Sequence, residues 1–450
     1  MKRSVKGKKV IVAGMGKSGA AAALLLKEMG AEVKASDIRD DDAVRESTRI
    51  LRAAGVECEV GEQGGALLEG ADLLVVSPGV GGDAAVVSAA RERGVEVAGE
   101  IELAYWFWPG GVIAITGTNG KTTTAHMIKA ILDSAGMRSV LSGNIGYPFS
   151  SAVLEHGDAG LAILELSSFQ LEHISLFHPG TALLLNLAPD HLDRYGDVRE
   201  YYAFKLAIFS NLERGDRAIF RLDERELVEP MLSRNGAAGL TFGLEGGGLS
   251  ISGDDVTLDG ERIFSLGGFG LRGRHNIENA LAAAAVADVC GVERDIIETS
   301  LRSFEGLPHR LEHVGTYGGI DFYNDSKSTN LDAMLKALSS FSGRLILIAG
   351  GKDKGEDYGA VREAVGARAR AVFLIGESRD AMKEALSGCC EAVACGSLDE
   401  AAAGASALAV KGDTVLLSPG CSSLDMYGGF EERGDHFKRI IGNLRGVDDE

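Results

Sequence analysis

Residues 114 to 123 read AITGTNGKTT, a short apolar run followed by a loop that could hold nucleotide phosphates. Gly117 and Gly120 allow backbone N–H groups close approach. Lys121 can neutralise β- and γ-phosphate charge, and Thr122 offers a hydroxyl to magnesium. The general phosphate-loop pattern begins with a glycine five positions before Gly120; Ile115 holds that place, so the match is partial. A second glycine-rich stretch, GMGKSG, puts Gly14, Gly16 and Gly19 after another apolar run, with Asp37 a suitable distance further on. That fingerprint suits any diphosphate: NAD, FAD or a UDP-sugar. A dehydrogenase has little use for the second loop, and a motor NTPase has little use for the first.

Such loops work only between a strand and a helix, and the surrounding sequence supplies both. KKVIVAG, AEVKASD and ADLLVVSPG read as strands separated by helical stretches such as AAALLLKEMG, which predicts a parallel sheet with crossover helices. The pattern breaks near YWFWPGG, with EIELAYWF as a linking helix, and resumes with GVIAITG, AGLAILELSS and TALLLNL. A glycine-rich region, 240–266, reads as β-hairpin, with the Gly246–Gly248 run as its surface turn. A further break falls at FEGLPHR, and RLILIAGG, AVFLIG and TVLLSPG repeat the α/β theme. The expectation is an α/β protein of three domains. A Rossmann-like sheet spans 1–100. A central P-loop ATPase-like α/β domain with a small β region spans 101–306, and a Rossmann-like α/β domain spans 307–450.

The formal charge of −19 over 450 residues excludes a broad nucleic-acid surface, which must be cationic. Anionic ligands must then be held by local lysines, arginines and backbone amides. The six cysteines show no CxxC spacing, so free thiols in a reducing cytoplasm are expected. The basic start MKRSVKGKK is followed by too short an apolar run for a signal peptide, and no stretch is long enough to span a bilayer.

Taken together, TGTNGKTT, SGNIG, ELSSFQL, DHLDRYG, FKLAIF, GRHNIENALAA, GLPHRLE, NDSKSTN and LSPGCSSLDMYGGFEERGDHF resemble the Mur ligase family, the ATP-dependent amino-acid ligases of peptidoglycan assembly. These motifs cover nearly the whole chain in order. The last three look most like the D-glutamate-adding branch, and the DNPR signature of the diaminopimelate- or lysine-adding branch has no strong counterpart. Gly420 stands in SPGCSS where alanine is common.

The resemblance implies the first domain binds the UDP part of UDP-N-acetylmuramoyl-L-alanine. Gly16, Lys17, Ser18, Asp37, Arg39, Ser77, Pro78 and Gly79 would contribute, with Asn144 and Gln170 from the second domain. ATP would lie on Gly117, Thr118, Asn119, Gly120, Lys121, Thr122 and Thr123. Asn279 and His275 would stand on the adenine side, and Arg310 and Asp325 would come from the third domain. Two magnesium ions are implied, one on Thr122 and Glu165, the other on His191 and Lys205. An ammonium cannot ligate a cation, so Lys205, otherwise a snorkelling helix lysine, is implied to carry a CO2-derived carbamate. Lys121, His191 and Lys205 would be catalytic. Lys327, Thr329, Lys352, Ser423, Leu424 and Phe430 would form the D-glutamate pocket. A cytoplasmic monomer is expected, with no nucleic-acid or membrane partner.

Overall fold

The computed structural model describes residues 3–61, 65–157, 160–190, 194–267, 269–271, 273–353 and 355–444. The chain is a three-domain α/β protein with three sheets. The first two lie in one compact unit, Met1–Phe269 with Glu278–Ser303; the third lies in a second unit, Gly270–Ile277 with Phe304–Glu450.

The first sheet holds β1 (Lys9–Ala13), β2 (Glu32–Asp37), β3 (Glu57–Val60), β4 (Leu73–Val76) and β5 (Glu96–Gly99), all parallel in the order 3-2-1-4-5. Order reverses between β1 and β4, and the loops leaving these two strands part there to open a crevice at the sheet's carboxyl edge. β1 and β4 are apolar and buried because helices cover both faces; β3, at the edge, is mostly exposed and carries Glu57 and Glu59.

The second sheet runs through β6 (Gly111–Thr116), β7 (Ser139–Gly143), β8 (Leu161–Glu165), β9 (Thr181–Leu184), β10 (Arg217–Arg221) and β11 (Ala238–Phe242). It continues in β12 (Leu249–Ser252), β13 (Asp255–Leu258) and β14 (Glu261–Ser265), with spatial order 14-13-12-11-10-9-6-8-7. The expected hairpin region therefore extends the main sheet. Its hairpins are β12–β13 and β13–β14, which pair antiparallel. Gly246–Gly248 is not a hairpin turn as expected, because β11 and β12 pair in parallel through Phe242 and Leu249. β6 lies between β8 and β9, a second switch point, at the foot of the GTNGKT loop.

The helix Glu100–Phe107 joins the two sheets. Ile101, Leu103, Ala104 and Trp106 belong to one apolar cluster reaching from Val10 and Val12 to Val112 and Phe220. Its two buried glutamates act as caps. Glu102 accepts from the amides of Ser175, Leu176 and Phe177 and from Trp106 Nε1; Glu100 accepts from the Ser150 amide.

The third sheet contains β15 (Glu312–Tyr317), β16 (Ile320–Asn324), β17 (Leu345–Gly350), β18 (Ala369–Ile375), β19 (Glu391–Ala394) and β20 (Thr414–Leu417), in the order 15-16-20-17-18-19. Only the β15–β16 pair is antiparallel. Its two faces are separate apolar clusters, one around Leu347 and Leu374, the other around Ile346, Phe373 and Phe437. Among the described residues no helix is long and apolar enough to cross a membrane.

Candidate active site

A cavity of about 800 Å³ opens at the carboxyl edge of the first sheet. All ten residues expected to meet the UDP-bearing substrate line it. Gly16, Lys17 and Ser18 come from the turn after β1, Asp37 and Arg39 from the end of β2, and Ser77, Pro78 and Gly79 from the turn after β4. Asn144 and Gln170 reach it from the second sheet's loops. Gly16 precedes the helix Lys17–Glu28 with no side-chain cap, so the first-turn amides of that helix stay available to an anion.

The Asp37 carboxylate is committed to shaping this loop. It accepts from the Met15 amide at 2.7 Å and from the Arg39 amide and guanidinium at 2.9 to 3.2 Å. Burial works against the charged form, yet the bonds from Arg39 and Met15 prevail and hold the carboxyl below its usual range. Ile38, two-thirds exposed between them, lines the same cavity and went unnoticed in the sequence because a lone isoleucine carries no polar signal. Gln170 also closes a capping box, its Oε1 accepting from the Ser167 amide at 3.0 Å.

The GTNGKT loop leaves β6 and enters the helix Lys121–Ser134 through Gly120, whose φ of +85° lies in the left-handed region. A Cβ there would run into Asn279 Oδ1, so glycine is required both by conformation and by that close approach. Asn279 is buried on the helix Arg274–Val289. The Lys121 ammonium donates to Gly117 O at 2.8 Å and Thr118 O at 3.0 Å, and Thr123 is buried behind it. The Asn119 amide donates to Asn186 Oδ1 at 2.9 Å, Asn186 Nδ2 returns to Asn119 O at 3.1 Å, and the Thr118 amide donates to Asn186 O. Asn186, just past β9, shapes the loop from the strand beside β6. Sequence reading missed it, although its place after the buried run TALLL was the available signal.

Glu165 ends β8, in register with Ile115 of β6. It is 3% exposed; Oε1 accepts from Asn144 Nδ2 at 3.1 Å, while Oε2 is buried without a hydrogen-bond partner. A buried carboxylate oxygen left over beside a phosphate loop, one strand from Thr122, suits a magnesium ion that takes few protein oxygens. Among the described residues no cluster of three or more His, Cys, Asp or Glu forms a complete cage. His191 lies outside the described residues.

Lys205, on the helix Val198–Leu206, is 2% exposed. Its Nζ donates to Gly117 O at 2.9 Å and sits 4.7 Å from the centre of the Tyr201 ring. Burial above all, then the Lys121 ammonium, drives its pKa well below the ordinary lysine range, against the pull of Asp190 and Glu165. Tyr201 OH lies 3.3 Å from Thr118 Oγ1, so this helix packs against the phosphate loop at two points.

Arg194, which lies in the DHLDRYG motif but was given no role there, forms a clamp with Glu172. Arg194 pairs with both Glu172 oxygens at 2.8 and 3.0 Å and donates to Pro78 O and Val80 O at 3.2 Å, pinning the cavity wall to the second domain.

In the second unit, His309 and Leu311 adopt positive φ on either side of Arg310, a strained turn of the kind functional sites retain. Asp325 holds it, accepting from the Leu311 amide at 3.1 Å and from Ser418 Oγ at 2.9 Å. Burial raises the Asp325 carboxyl to about 7 in spite of those bonds and the nearby Arg310. His275 also lies in this unit, its imidazole pushed down to about 4 by burial and by Lys336. Lys327, Thr329, Lys352, Ser423, Leu424 and Phe430 stand on the loops at this sheet's carboxyl edge and on the first turn of the helix Phe430–Leu444. The Lys327 Nζ is 4.0 Å from the centre of the Phe430 ring, and the Lys352 amide donates to Ser422 O. Ser423 is buried, whereas Lys352 and Leu424 are exposed.

Models of three domains match the chain in order. They are the Mur ligase MurD-like N-terminal domain at residues 8–99, the Mur ligase middle domain at 115–287, and the Mur ligase glutamate ligase domain at 309–421. The chain belongs to the Mur ligase family. It is 41% identical to the UDP-N-acetylmuramoylalanine–D-glutamate ligase of Acidobacterium capsulatum over 98% of both chains. It is 40% identical to the ligase of the same name from Myxococcus xanthus, over 98% of this chain and 99% of that one. Among solved structures it is similar to the UDP-N-acetylmuramate-alanine ligase MurC of Thermotoga maritima, with TM-score 0.59 and 22% identity over 97% of this chain and 99% of that one. The MurF ligase of the same organism, in complex with ADP, gives TM-score 0.60 and 17% identity over 98% and 97%. These two likenesses concern the fold.

Proposed function

We propose that this chain joins D-glutamate to the L-alanine carboxylate of UDP-N-acetylmuramoyl-L-alanine, converting ATP to ADP and phosphate, in cytoplasmic peptidoglycan-precursor synthesis. One observation carries the geometric side of this reading. Asn144 lines the first-domain cavity and bonds Glu165 at the edge of the ATP loop, so a substrate anchored in the cavity can present its far carboxylate beside the γ-phosphate. The identity to full-length D-glutamate ligases supports the choice of amino acid.

Amines do not attack carboxylates usefully, because an oxide ion leaves poorly. In the proposed reaction a carboxylate oxygen attacks the γ-phosphorus, the bond to the β-phosphate oxygen breaks, and ADP departs, leaving an acyl phosphate. The D-glutamate amine then adds to the acyl carbon, loses a proton, and the tetrahedral intermediate expels phosphate to leave the amide. The Gly117–Thr123 loop holds the triphosphate at the uncapped N-terminus of the helix Lys121–Ser134, and Lys121 offsets charge on the transferred group. Thr122 and Glu165 would hold magnesium, with His191 and modified Lys205 serving a second ion; bound there, magnesium would compensate the charge of the phosphates. Asn279 stands on the adenine side, and Arg310 and Asp325 belong to the ATP site. Lys327, Thr329, Lys352, Ser423, Leu424 and Phe430 take D-glutamate, cationic and hydroxyl donors answering its two carboxylates.

Carbamylation of Lys205 rests on its surroundings. Only a neutral amine adds to CO2, and burial beside Lys121 favours that form; Lys121 then provides the counter-charge for the anionic product.

The test is phosphate release from ATP and magnesium with UDP-N-acetylmuramoyl-L-alanine, comparing D-glutamate with L-glutamate, L-alanine and diaminopimelate. Release that needs both the nucleotide sugar and D-glutamate is expected. Release driven by another amino acid would overturn the pocket assignment, and none with any acceptor would overturn the ligase.

A further inference from the structure

The motif FEERGDHF places an arginine on the first turns of the helix Phe430–Leu444, and its side chain turns inward. Arg433 is 1% exposed, the largest fully buried side chain of the described residues. Nε donates to Ser326 Oγ at 3.0 Å, and Nη2 donates to Ser326 O at 2.8 Å and Cys421 O at 3.2 Å. Ser326 Oγ in turn donates to Phe430 O at 2.8 Å, closing a ring from the helix through the loop after β16 and back. The guanidinium therefore ties three segments: the one leading into Lys327 and Thr329, the one leading into Ser423, and the helix start with Phe430. Gly351, beside Lys352, makes room for it. With φ of +149°, any Cβ there would collide with Ser422 O and crowd Nη1.

A bundle of hydrogen bonds alone needs no charge, and Arg433 retains one. Among the described residues no carboxylate pairs with it, and Nη1 is buried without a partner. Burial lowers its pKa to about 10, opposed by Cys421, Asp425 and Tyr427, so it remains a cation at neutral pH. Asp425 acts on it without an ion-pair contact, and a buried cation with no carboxylate in contact is costly unless something compensates it. The loops it ties are the ones assigned to an amino acid with two carboxylates.

We infer that Arg433 is the positioning residue of the amino-acid pocket: its guanidinium fixes the spacing of the Ser326–Thr329 and Cys421–Ser423 loops and supplies the positive charge beneath glutamate's carboxylates, without touching the ligand. The inference rests on the pocket reading given above and extends it to a residue which that reading does not use.

The experiment is steady-state ligation by the full chain with Arg433→Lys and Arg433→Gln, varying each substrate in turn. Lysine keeps the charge and loses the fork, so KM for D-glutamate should rise roughly tenfold; glutamine loses both, and the rise should reach roughly a hundredfold. KM for ATP and for UDP-N-acetylmuramoyl-L-alanine should stay within about twofold, and kcat should fall less than KM for D-glutamate rises. An unchanged KM for D-glutamate in Arg433→Lys, or all three KM values moving together, overturns the inference and leaves a purely structural hub. If neither variant folds, hydrogen exchange of the wild-type enzyme with ADP and the nucleotide sugar decides. D-glutamate should slow exchange at 326–329 and 421–433, and absence of that protection overturns it. Failure of the wild-type enzyme to use D-glutamate at all would instead remove the pocket reading itself.

Discussion

Replacing Arg194 with methionine separates two consequences of one side chain. Arg194 is about one-fifth exposed and Glu172 is 5% exposed, and their contact is bidentate, with the guanidinium also 4.2 Å from the centre of the Phe169 ring. Removing one partner of a buried pair costs about 3–5 kcal/mol. The partial exposure of Arg194, and the bond Tyr195 OH keeps to Glu172 at 2.8 Å, place this case at about 3 kcal/mol. Separately, the wall of the cavity loses the bonds to Pro78 O and Val80 O. Both are long at 3.2 Å, so about 1 kcal/mol each is reasonable, together roughly a 30-fold weakening for a substrate that needs the wall in place. Arg194→Met should therefore lower thermal stability and raise KM for the nucleotide sugar by roughly 10- to 100-fold, with KM for ATP little changed. Adding Glu172→Gln removes the orphaned carboxylate, so the double variant should regain most of the stability but none of the affinity, because the carbonyl bonds are still missing. Ligation kinetics and melting of the wild type, both singles and the double form the assay. An unmoved KM in Arg194→Met, or a KM restored in the double variant, would refute the reasoning.

Lys205→Ala should lose most activity and recover part of it when a short-chain carboxylate is added, since the cavity left could admit an anion; full activity without additive sinks the carbamate. Lys121→Ala should fold normally and lose phosphoryl transfer by 10³-fold or more, roughly the worth of a cation at a phosphoryl centre; unchanged ATP turnover would exclude its assigned role. Asp325 gives a pH signature. Its folded pKa of about 7 lies above the 3.8 of the free carboxyl, so the folded state holds a proton the unfolded state has shed. That contribution is complete below about pH 4 and is lost as pH rises toward 7, by about 4 kcal/mol at most. Asp325→Asn cannot ionise, so its melting temperature should approach that of the wild type near pH 4 and exceed it above pH 7; parallel profiles from pH 4 to 8 would contradict the assignment.

How far the sequence could be read differs from element to element. Strands β1, β4, β6, β8, β9, β17, β18 and β20 are covered on both faces, and continuous apolar runs announce them. The edge strands β3 (ECEV) and β19 (EAVA) escaped notice because half their surface faces water and their composition matches a loop. The glycine run 246–248 was misread for a related reason: turn residues mark a change of direction, but only strand pairing decides whether the partners run parallel or antiparallel. The family motifs named the site residues without saying why each is there. Asp37 is spent on the Met15 amide and Arg39, and Gln170 on a helix cap, and neither fact is visible in a motif.

By itself, then, the sequence determined the local chemistry: two glycine loops each between a strand and a helix, a lysine and hydroxyls for phosphate, and an order of motifs belonging to one family. These are properties of residues close together in the chain, where spacing alone sets geometry. Only the tertiary structure decided what distant residues do to one another. It puts turns from β1, β2 and β4 around one cavity, sets Glu165 beside the phosphate loop through strand order, and lets Lys121 and burial together depress Lys205. It also gives meaning to Asn186, Arg194 and Arg433, single polar residues whose partners lie 67, 22 and 107 positions away. The cost of burying a charge, and the partner that offsets it, depend on neighbours in space, and no spacing along the chain records those.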